Sequence, residues 1–422
     1  MTIFGFLWLG LLSLAIATRR VEPVVFLTIV ASTLQCSNVL WINGQGIGPQ
    51  AITSVLFVGY ICVVYGRHLR IRIRRNTLAV QLLALLLFAI AALSAVHGGV
   101  LGAVSFRLFQ LMAYVFCFIA MFTAGTHLAP DFVYHAVRGI TIFLLIVGAV
   151  QLCITTGILP RTQLVNELFY NDLVYSGSDN VTYFSRNNYF RILSTYMEPS
   201  YYAGFIVGSF FYFLNYKEKF KENHILLAAI SVEIIFTFSS TAYGSLLVTL
   251  IIYLAFTRKG KSKYYILIGG LIGFFVLYYG FYGVLDNVIF SKMQGGSAAA
   301  RNSWNNAAWR TFLANPFLGI GYKAQRASSI FYTLLAEQGI VGFVIYVLFN
   351  LKILYPVASK QKKSELGNEN IGIRYAILAG VVAQLIAVPD LDICTYWMWL
   401  NLFALSLASN WRGREQRKNE QS

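Results

Sequence analysis

The sequence predicts an all-α, polytopic integral membrane protein that forms a single domain over residues 1–422. Hydrophobic residues make up 57% of the chain and charged residues only 12%, whereas a soluble domain carries about 25% charged residues. Mean hydropathy is +0.63, and many apolar runs approach the roughly 20 residues that cross a bilayer as a helix. A membrane β-barrel would instead show short segments of alternating polarity, and the sequence contains none.

The apolar runs predict about 13 membrane-spanning helices. Their predicted ranges are 1–18, 24–42, 51–66, 77–96, 100–124, 139–157, 201–216, 225–256, 264–285, 330–351, 373–388 and 393–410. The run 225–256 is counted as two short helices that turn near Ser239. Basic segments flank it on both sides, and two cytoplasmic flanks require an even number of crossings.

Basic residues set the predicted orientation, because cytoplasmic loops are enriched in Lys and Arg. The segment 67–75 contains five arginines and is predicted to be cytoplasmic. The amino terminus is then outside, the carboxyl terminus is inside, and two large periplasmic segments lie at 158–199 and 286–327. The net charge of +16 is therefore mainly a topology signal. No basic face interleaved with exposed aromatics occurs outside the membrane flanks, so nucleic-acid binding is not expected.

The first periplasmic segment ends at a candidate carboxylate. Pro199 is favourable at the first position of a helix, so a helix is predicted to open there with Glu198 just before it. A carboxylate beside a helix amino terminus stays ionised more easily. Two interpretations remain open: Glu198 is a capping acid paired with Arg191, or it contacts a sugar hydroxyl.

The second periplasmic segment is basic in a place where cationic loops are disfavoured, which predicts anion binding. Its five cations, set against the single acid Asp286, are Lys292, Arg301, Arg310, Lys323 and Arg326. A helix is predicted over 297–313, with Arg301 and Trp304 on one side and Arg310 about 180° away. Arg301 is favoured as the phosphate ligand, with Trp304 stacking on a sugar. The alternative is that both arginines extend to lipid head groups.

Ionisable residues inside predicted spans are few, and each is a functional candidate. Glu337 lies about two turns below the outer end of its predicted helix, and Glu233 lies in the predicted helical hairpin. Asp390 and Asp392 occupy an outer turn. A helix–helix hydrogen bond is the alternative role for Glu337. No metal-ligand spacing and no nucleotide-binding loop is present, so neither a tightly held metal nor another cofactor is expected.

Four stretches in one chain order resemble the O-antigen polymerase and O-antigen ligase superfamily. They are RILSTYMEPSYYAG (191–204), TFSSTAYG (237–244), Arg301 and Trp304 followed by NPFLGIG (315–321), and AEQGIVGF (336–343). The resemblance implies a GT-C-like glycosyltransferase of the bacterial inner membrane. Its substrates would be undecaprenyl-diphosphate-linked oligosaccharides, both as donor and as acceptor, handled at the periplasmic face without a nucleotide sugar.

The ligases of this superfamily resemble one another in a His placed eleven residues before the first glycine of a Gly-x-x-Gly pattern. Here that position, counted back from Gly339, is Ser328. The missing His favours the polymerase branch, which joins repeat units of O-antigen, capsule or exopolysaccharide. An O-antigen ligase, or a polysaccharide flippase or exporter without chemistry, is the alternative. A chain-length regulator and a flippase are the implied membrane partners.

The chemistry of that reaction assigns roles to the candidates. The acceptor hydroxyl needs orientation and a base, for which Glu198 is the first candidate and Glu337 the second. The diphosphate leaving group needs cations that stabilise its charge. The residues predicted to bind substrate or diphosphate are Arg191, Arg301, Arg310, Arg326, Trp304 and Tyr322.

Overall fold

A computed structural model of the chain describes residues 1–42, 44–66, 75–129, 131–160, 162–171, 185–186, 189–216, 220–257, 296–358 and 367–419. Within these ranges the structure contains 14 helices. They are α1 Ile3–Ala17, α2 Val21–Ala31, α3 Pro49–Tyr65, α4 Arg75–His97, α5 Leu101–Gly125, α6 Phe132–Thr155, α7 Gln163–Phe169, α8 Pro199–Asn215, α9 Phe220–Phe236, α10 Ser240–Thr257, α11 Gly296–Ala314, α12 Ile330–Ala358, α13 Asn368–Ala387 and α14 Cys394–Asn419.

Strands in the described ranges are limited to two short antiparallel hairpins. One pairs β1 Leu40–Ile42 with β2 Gln45–Ile47, and the other pairs β3 Ser185–Arg186 with β4 Tyr189–Phe190. The predicted second span, 24–42, is therefore wrong as one helix, because α2 ends at Ala31. The irregular chain that follows is largely buried, and its backbone finds partners outside any helix. The N–H of Asn38, for example, donates to Asn171 Oδ1 at 2.6 Å.

Five described helices are long and apolar enough to cross a membrane, namely those at Thr77–His97, Leu101–Gly125, Phe132–Thr155, Ile330–Ala358 and Asn368–Ala387. Shorter apolar helices occur at Ile3–Ala17, Val21–Ala31, Pro49–Tyr65 and Ser240–Phe256. The predicted turn near Ser239 is confirmed, since α9 ends at Phe236 and α10 begins at Ser240. The predicted span 264–285 and most of the basic segment 67–75 lie outside the described residues.

Contacts between helix ends agree with the predicted sidedness. Three backbone hydrogen bonds join residues that lie near the predicted outer ends of spans or in the predicted periplasmic segment 158–199, in the pairs Thr2–Val39, Cys36–Thr195 and Ile192–Phe236. On the side predicted to be cytoplasmic, the Tyr134 hydroxyl donates to Asn223 Oδ1 at 2.9 Å. The rings of Tyr65 and His127 also lie 4.3 Å apart there. Each contact joins two ends that the basic-residue pattern assigns to the same side.

Helix α8 packs closely against α13 and α14, and small residues make that approach possible. A Cβ on Gly208 would lie 2.8 Å from Nε1 of Trp399, and a Cβ on Gly204 would lie 3.8 Å from Cα of Gly380. The indole N–H of Trp399 donates to the carbonyl of Gly204 at 3.3 Å. This packing fixes the amino-terminal end of α8, where Glu198 lies.

Helix α12 is interrupted at Gly339, although one continuous helix was predicted there. Gly339 has φ 65° and ψ −167°, so two helical segments meet at this residue. A Cβ at Gly339 would lie 2.1 Å from the carbonyl oxygen of Phe317. The left-handed φ and the close approach of the 315–321 loop both require glycine at this position.

Candidate functional site

A cavity of about 940 Å³ opens where several chain segments meet. Its walls come from stretches far apart in sequence: the segment before α8, the turn between α9 and α10, helix α11 with the loop after it, the first part of α12, and the turn after α13. Six of the eight predicted site residues line this one cavity: Arg191, Glu198, Arg301, Trp304, Arg326 and Glu337.

The segment before α8 is irregular but firmly held. Residues 192–196 are buried, and Oε1 of Gln151 accepts the backbone N–H groups of Leu193 at 3.1 Å and of Ser194 at 3.0 Å. The Arg191 Nε–H donates to the carbonyl of Thr237 at 3.4 Å. Arg191 is thereby tied to the turn between α9 and α10, and both belong to the cavity wall.

Glu198 occupies the amino-terminal cap position of α8, with Pro199 at the first turn, as predicted. Its side chain makes no hydrogen bond to the backbone N–H groups of the helix. Instead, Oε2 accepts the Ser200 hydroxyl at 3.0 Å. Glu198 is exposed to the cavity, so its carboxylate is available to a ligand rather than used up in capping.

Helix α11 forms one wall, and its bounds closely match the predicted helix at 297–313. Arg301 and Trp304 face the cavity, one helical turn apart. The guanidinium carbon of Arg326 lies 4.0 Å from the centre of the Trp304 ring, a cation–π contact. Asn305 Oδ1 accepts both the backbone N–H of Ser328, at 3.0 Å, and its hydroxyl, at 2.9 Å. These contacts fasten α11 to the start of α12.

The NPFLGIG loop, residues 315–321, docks onto the break in α12. The N–H groups of Ile320 and Gly321 donate to the carbonyls of Ala336 and Glu337, each at 3.0 Å. In the reverse direction, the N–H of Ile340 donates to the carbonyl of Pro316 at 2.8 Å. Interrupting α12 leaves backbone groups without helical partners, and the loop supplies them. Glu337, which is buried, lies at this junction and lines the cavity.

Lys323 forms an ion cluster with the turn between α13 and α14. Its ammonium contacts Asp390 and lies 2.8 Å from Oδ1 of Asp392. The hydroxyl of Tyr201, in the first turn of α8, donates to Asp390 Oδ2 at 3.4 Å. We call Lys323, Asp390 and Asp392 the lysine clasp. It connects the NPFLGIG loop, the start of α8 and the turn after α13, which are three parts of the cavity wall.

Two members of the clasp, Lys323 and Asp392, hold each other in the charged form. Burial on its own would lower the pKa of the Lys323 ammonium, but the Asp392 and Asp390 carboxylates outweigh burial and hold that pKa above its ordinary value. Burial would likewise raise the pKa of Asp392, yet the Lys323 ammonium holds it below its usual range. Each charge stabilises the other.

Two predicted binding residues do not line the cavity. Arg310 is exposed and is absent from the cavity lining, because it lies about 180° round α11 from Arg301. Tyr322 is fully buried, and its hydroxyl has no hydrogen-bond partner within the described ranges. Its ring centre lies 5.8 Å from the Lys323 ammonium, beneath the clasp. The geometry thus separates both residues from the other six.

Lys323, which the sequence presented only as one cation of the basic segment, lines the cavity. Thr333 and the turn 239–241, for which the sequence predicted no role at the site, line it as well. No local pattern in the sequence pairs Lys323 with Asp390 and Asp392, which lie nearly seventy residues further along the chain. Nothing in a single sequence singles out Thr333. Among the described residues, no group of three or more His, Cys, Asp or Glu side chains is placed to hold a metal ion.

The fold defines the class of the protein: a predominantly helical chain in which at least five helices could cross a membrane. Comparison with known proteins adds no narrower assignment, because no family model matches the chain and no curated protein matches it. The family and the activity are therefore proposals that rest on the cavity and on the sequence resemblance.

Proposed function

We propose that the protein is a GT-C-like glycosyltransferase, a polymerase that joins undecaprenyl-diphosphate-linked oligosaccharide repeat units into O-antigen, capsule or exopolysaccharide. One observation carries the proposal. Residues from all four stretches of the superfamily resemblance line a single cavity. Chance matches scattered over the chain would have no reason to meet there.

The chemistry of the cavity suits a diphosphate. Arg191, Arg301 and Arg326 line it, and a guanidinium offers a planar pair of donors that matches phosphate oxygens. Among the described residues, neither Arg301 nor Arg326 forms an ion pair. Their charge is therefore available to an anion. Trp304 lines the same cavity. The Arg326 guanidinium lies over its ring at 4.0 Å, and the part of the indole that Arg326 leaves uncovered would contact a sugar ring.

The reaction needs one bond formed and one bond broken. The acceptor hydroxyl oxygen bonds to the anomeric carbon of the donor sugar, and the bond from that carbon to the diphosphate oxygen breaks. The arginines stabilise the charge that develops on the departing undecaprenyl diphosphate. The hydroxyl proton passes to a carboxylate, for which the exposed Glu198 is the first candidate and the buried Glu337 the second. The growing chain is thereby transferred to the next lipid-linked repeat unit.

This function requires the cavity to face the periplasm, in a multi-pass protein of the bacterial inner membrane. Reporter fusions at Asn305 should then report periplasm, and fusions at Lys261 or Lys362 should report cytoplasm. A flippase and a chain-length regulator are the expected membrane partners. A cytoplasmic signal at Asn305 would rule out the proposed active face.

The decisive test is deletion of the gene in its host, followed by gel analysis of the surface polysaccharide. We expect chains of a single repeat unit, because ligation would continue without polymerisation. A lipid core that carries no repeat units would instead indicate a ligase or a flippase. Complementation with the wild-type gene should restore long chains.

A further inference from the structure

The face of α11 that points away from the cavity changes character along its length. Asn302, Asn306, Trp309 and Leu313 are all exposed, and their spacing of four, three and four residues places them on one side of the helix. The first two are amides, and the last two are large and apolar. Phe317 continues the apolar part beyond the helix. The exposures are 42% for Trp309, 62% for Leu313 and 71% for Phe317.

The apolar end of this face lies beside a helix that is able to cross a membrane. The carbonyl of Pro316 accepts the N–H of Ile340 at 2.8 Å, which places Phe317 at the level of the break in α12. Below that break, α12 carries one exposed apolar stripe, formed by Ile340, Val344, Leu348 and Leu351. Phe317 therefore lies at the outer end of a surface that continues along a predicted membrane span.

The side chains match the layers of a bilayer in order. Trp is enriched at membrane–water interfaces, and Arg extends its charged end to lipid head groups. Arg310, next to Trp309, is exposed on this side of α11. Moving towards the break in α12, the face passes from amides to Trp and Arg, and then to Leu and Phe. This order matches a helix end that passes from water into the interface, with Trp and Arg at the head groups and the apolar side chains deepest.

We propose that the outer face of α11, from Trp309 to Phe317, is an interfacial anchor that binds the anionic lipid surface on the cavity side of the membrane. Leu313 and Phe317 reach the edge of the hydrocarbon, Trp309 lies among the head groups, and Arg310 contacts a lipid phosphate. The opposite face of the same helix carries Arg301 and Trp304. The anchor thereby sets the height of the cavity wall at the level where a lipid-linked diphosphate lies.

The proposal depends on the predicted membrane insertion and deepens the proposed function, but its test needs no transferase activity. Nitroxide labels are attached to Leu313→Cys and Phe317→Cys, in a background where the exposed Cys62 is replaced (Cys62→Ser). The protein is reconstituted in nanodiscs of phosphatidylethanolamine and phosphatidylglycerol. Collision of each label with oxygen, which concentrates in lipid, is compared with collision with a water-soluble nickel chelate.

We expect both labels to favour oxygen, as a label at Val344→Cys in the exposed stripe of α12 should. A label at Asn302→Cys, on the polar end of the same face, should favour the nickel chelate. Nickel-dominated collisions at Leu313 and Phe317 would overturn the anchor. Labels shielded from both reagents, with dipolar broadening between copies, would also overturn it, since a second copy would then cover the face.

A second measurement uses unlabelled protein, in case the cysteine variants perturb the fold. Phosphatidylglycerol should raise the Tm of the wild-type protein in nanodiscs, relative to phosphatidylcholine alone. Arg310→Gln should lose part of that increase, because it removes the proposed contact with a lipid phosphate. If Arg310→Gln keeps the full increase in Tm, Arg310 does not bind a lipid phosphate, and that contact is wrong. Either failure leaves the gene-deletion result, and hence the proposed function, untouched.

Discussion

Two arginines and one lysine line the same cavity, yet their charges have different roles. Arg326 lies over the Trp304 ring, Arg301 lies one helical turn from Trp304, and neither arginine forms an ion pair among the described residues. Lys323, only three residues before Arg326, is neutralised by Asp390 and Asp392. The sequence presents all three as cations of one basic segment. The two arginines are able to bind an anion, whereas the lysine joins two segments of the protein through its ion pairs.

The difference between the arginines and Lys323 predicts that replacing Arg301 causes the largest loss of polymer. Arg301→Ala should abolish long chains at normal protein abundance, because loss of a charge-assisted contact to the transition state costs about 3 kcal/mol, or about 100-fold in rate. Arg301→Lys should restore only part of the activity, since lysine lacks the planar fork. The measurement is the distribution of chain lengths in a strain that lacks the native gene.

Arg310→Ala is the matched control, because Arg310 is on the same helix but outside the cavity. It should retain most of the long chains. Equal losses of long chains in the two variants would mean that both faces of α11 bind anionic groups that polymerisation requires. Normal chains in Arg301→Ala would exclude this wall as the diphosphate site.

The second prediction concerns the docking of the NPFLGIG loop onto the break in α12 at Gly339. Gly339→Ala should lower both activity and Tm, because a side chain at φ 65° is strained and its Cβ would lie 2.1 Å from the Phe317 carbonyl. Backbone strain of this kind costs about 1–3 kcal/mol. Gly59→Ala is the control, since a Cβ there would have no heavy atom within 4 Å. If both substitutions lower Tm alike, loop docking is not what requires Gly339.

The third prediction separates the clasp from the arginines. Lys323→Met should reduce polymer about tenfold, near the lower end for a lost hydrogen bond to a charged group. The triple variant Lys323→Met/Asp390→Asn/Asp392→Asn should recover part of this loss, because unpaired carboxylates no longer remain near the diphosphate site. Recovery no better than in the single variant would show that Lys323 itself binds substrate.

The same substitution should give a distinctive pH profile. The Lys323 ammonium holds the pKa of Asp392 down, while burial raises it. Without the ammonium, burial dominates and the pKa rises, so mildly acidic conditions neutralise the carboxylate more readily. The activity deficit of Lys323→Met relative to wild type should therefore shrink as the pH falls from neutral. In vitro polymerisation across pH measures this, and a constant ratio would contradict it.

The smallest effect is expected at Ser328. Ser328→Ala removes the hydroxyl contact to Asn305, which is worth about 0.5–1.5 kcal/mol, and keeps the backbone N–H contact to the same oxygen. Most polymer should remain, and Ser328→His should not create ligase activity. Complete loss of polymer in Ser328→Ala would assign chemistry to this position and undercut the separation of polymerase from ligase.

The sequence by itself determined the helical class, the turn near Ser239, the helix at 297–313 and the start of α8 at Pro199. These features follow from local causes: apolar length, flanking charge and the backbone restrictions of proline. Arg301, Trp304 and Glu198 could be selected as candidates because each is a polar or aromatic residue of unusual placement next to a predicted helix end or on a predicted helix face.

Tertiary structure alone decided which of these residues meet. The end of α2 at Ala31 depends on buried partners such as Asn171, and the break at Gly339 depends on a loop that comes back to fill it. Pairing Lys323 with Asp390 and Asp392 joins residues nearly seventy positions apart. Local propensity carries no information about such partners. Whether a charged side chain is paired or stays available to a ligand depends on which residues the folded chain places beside it.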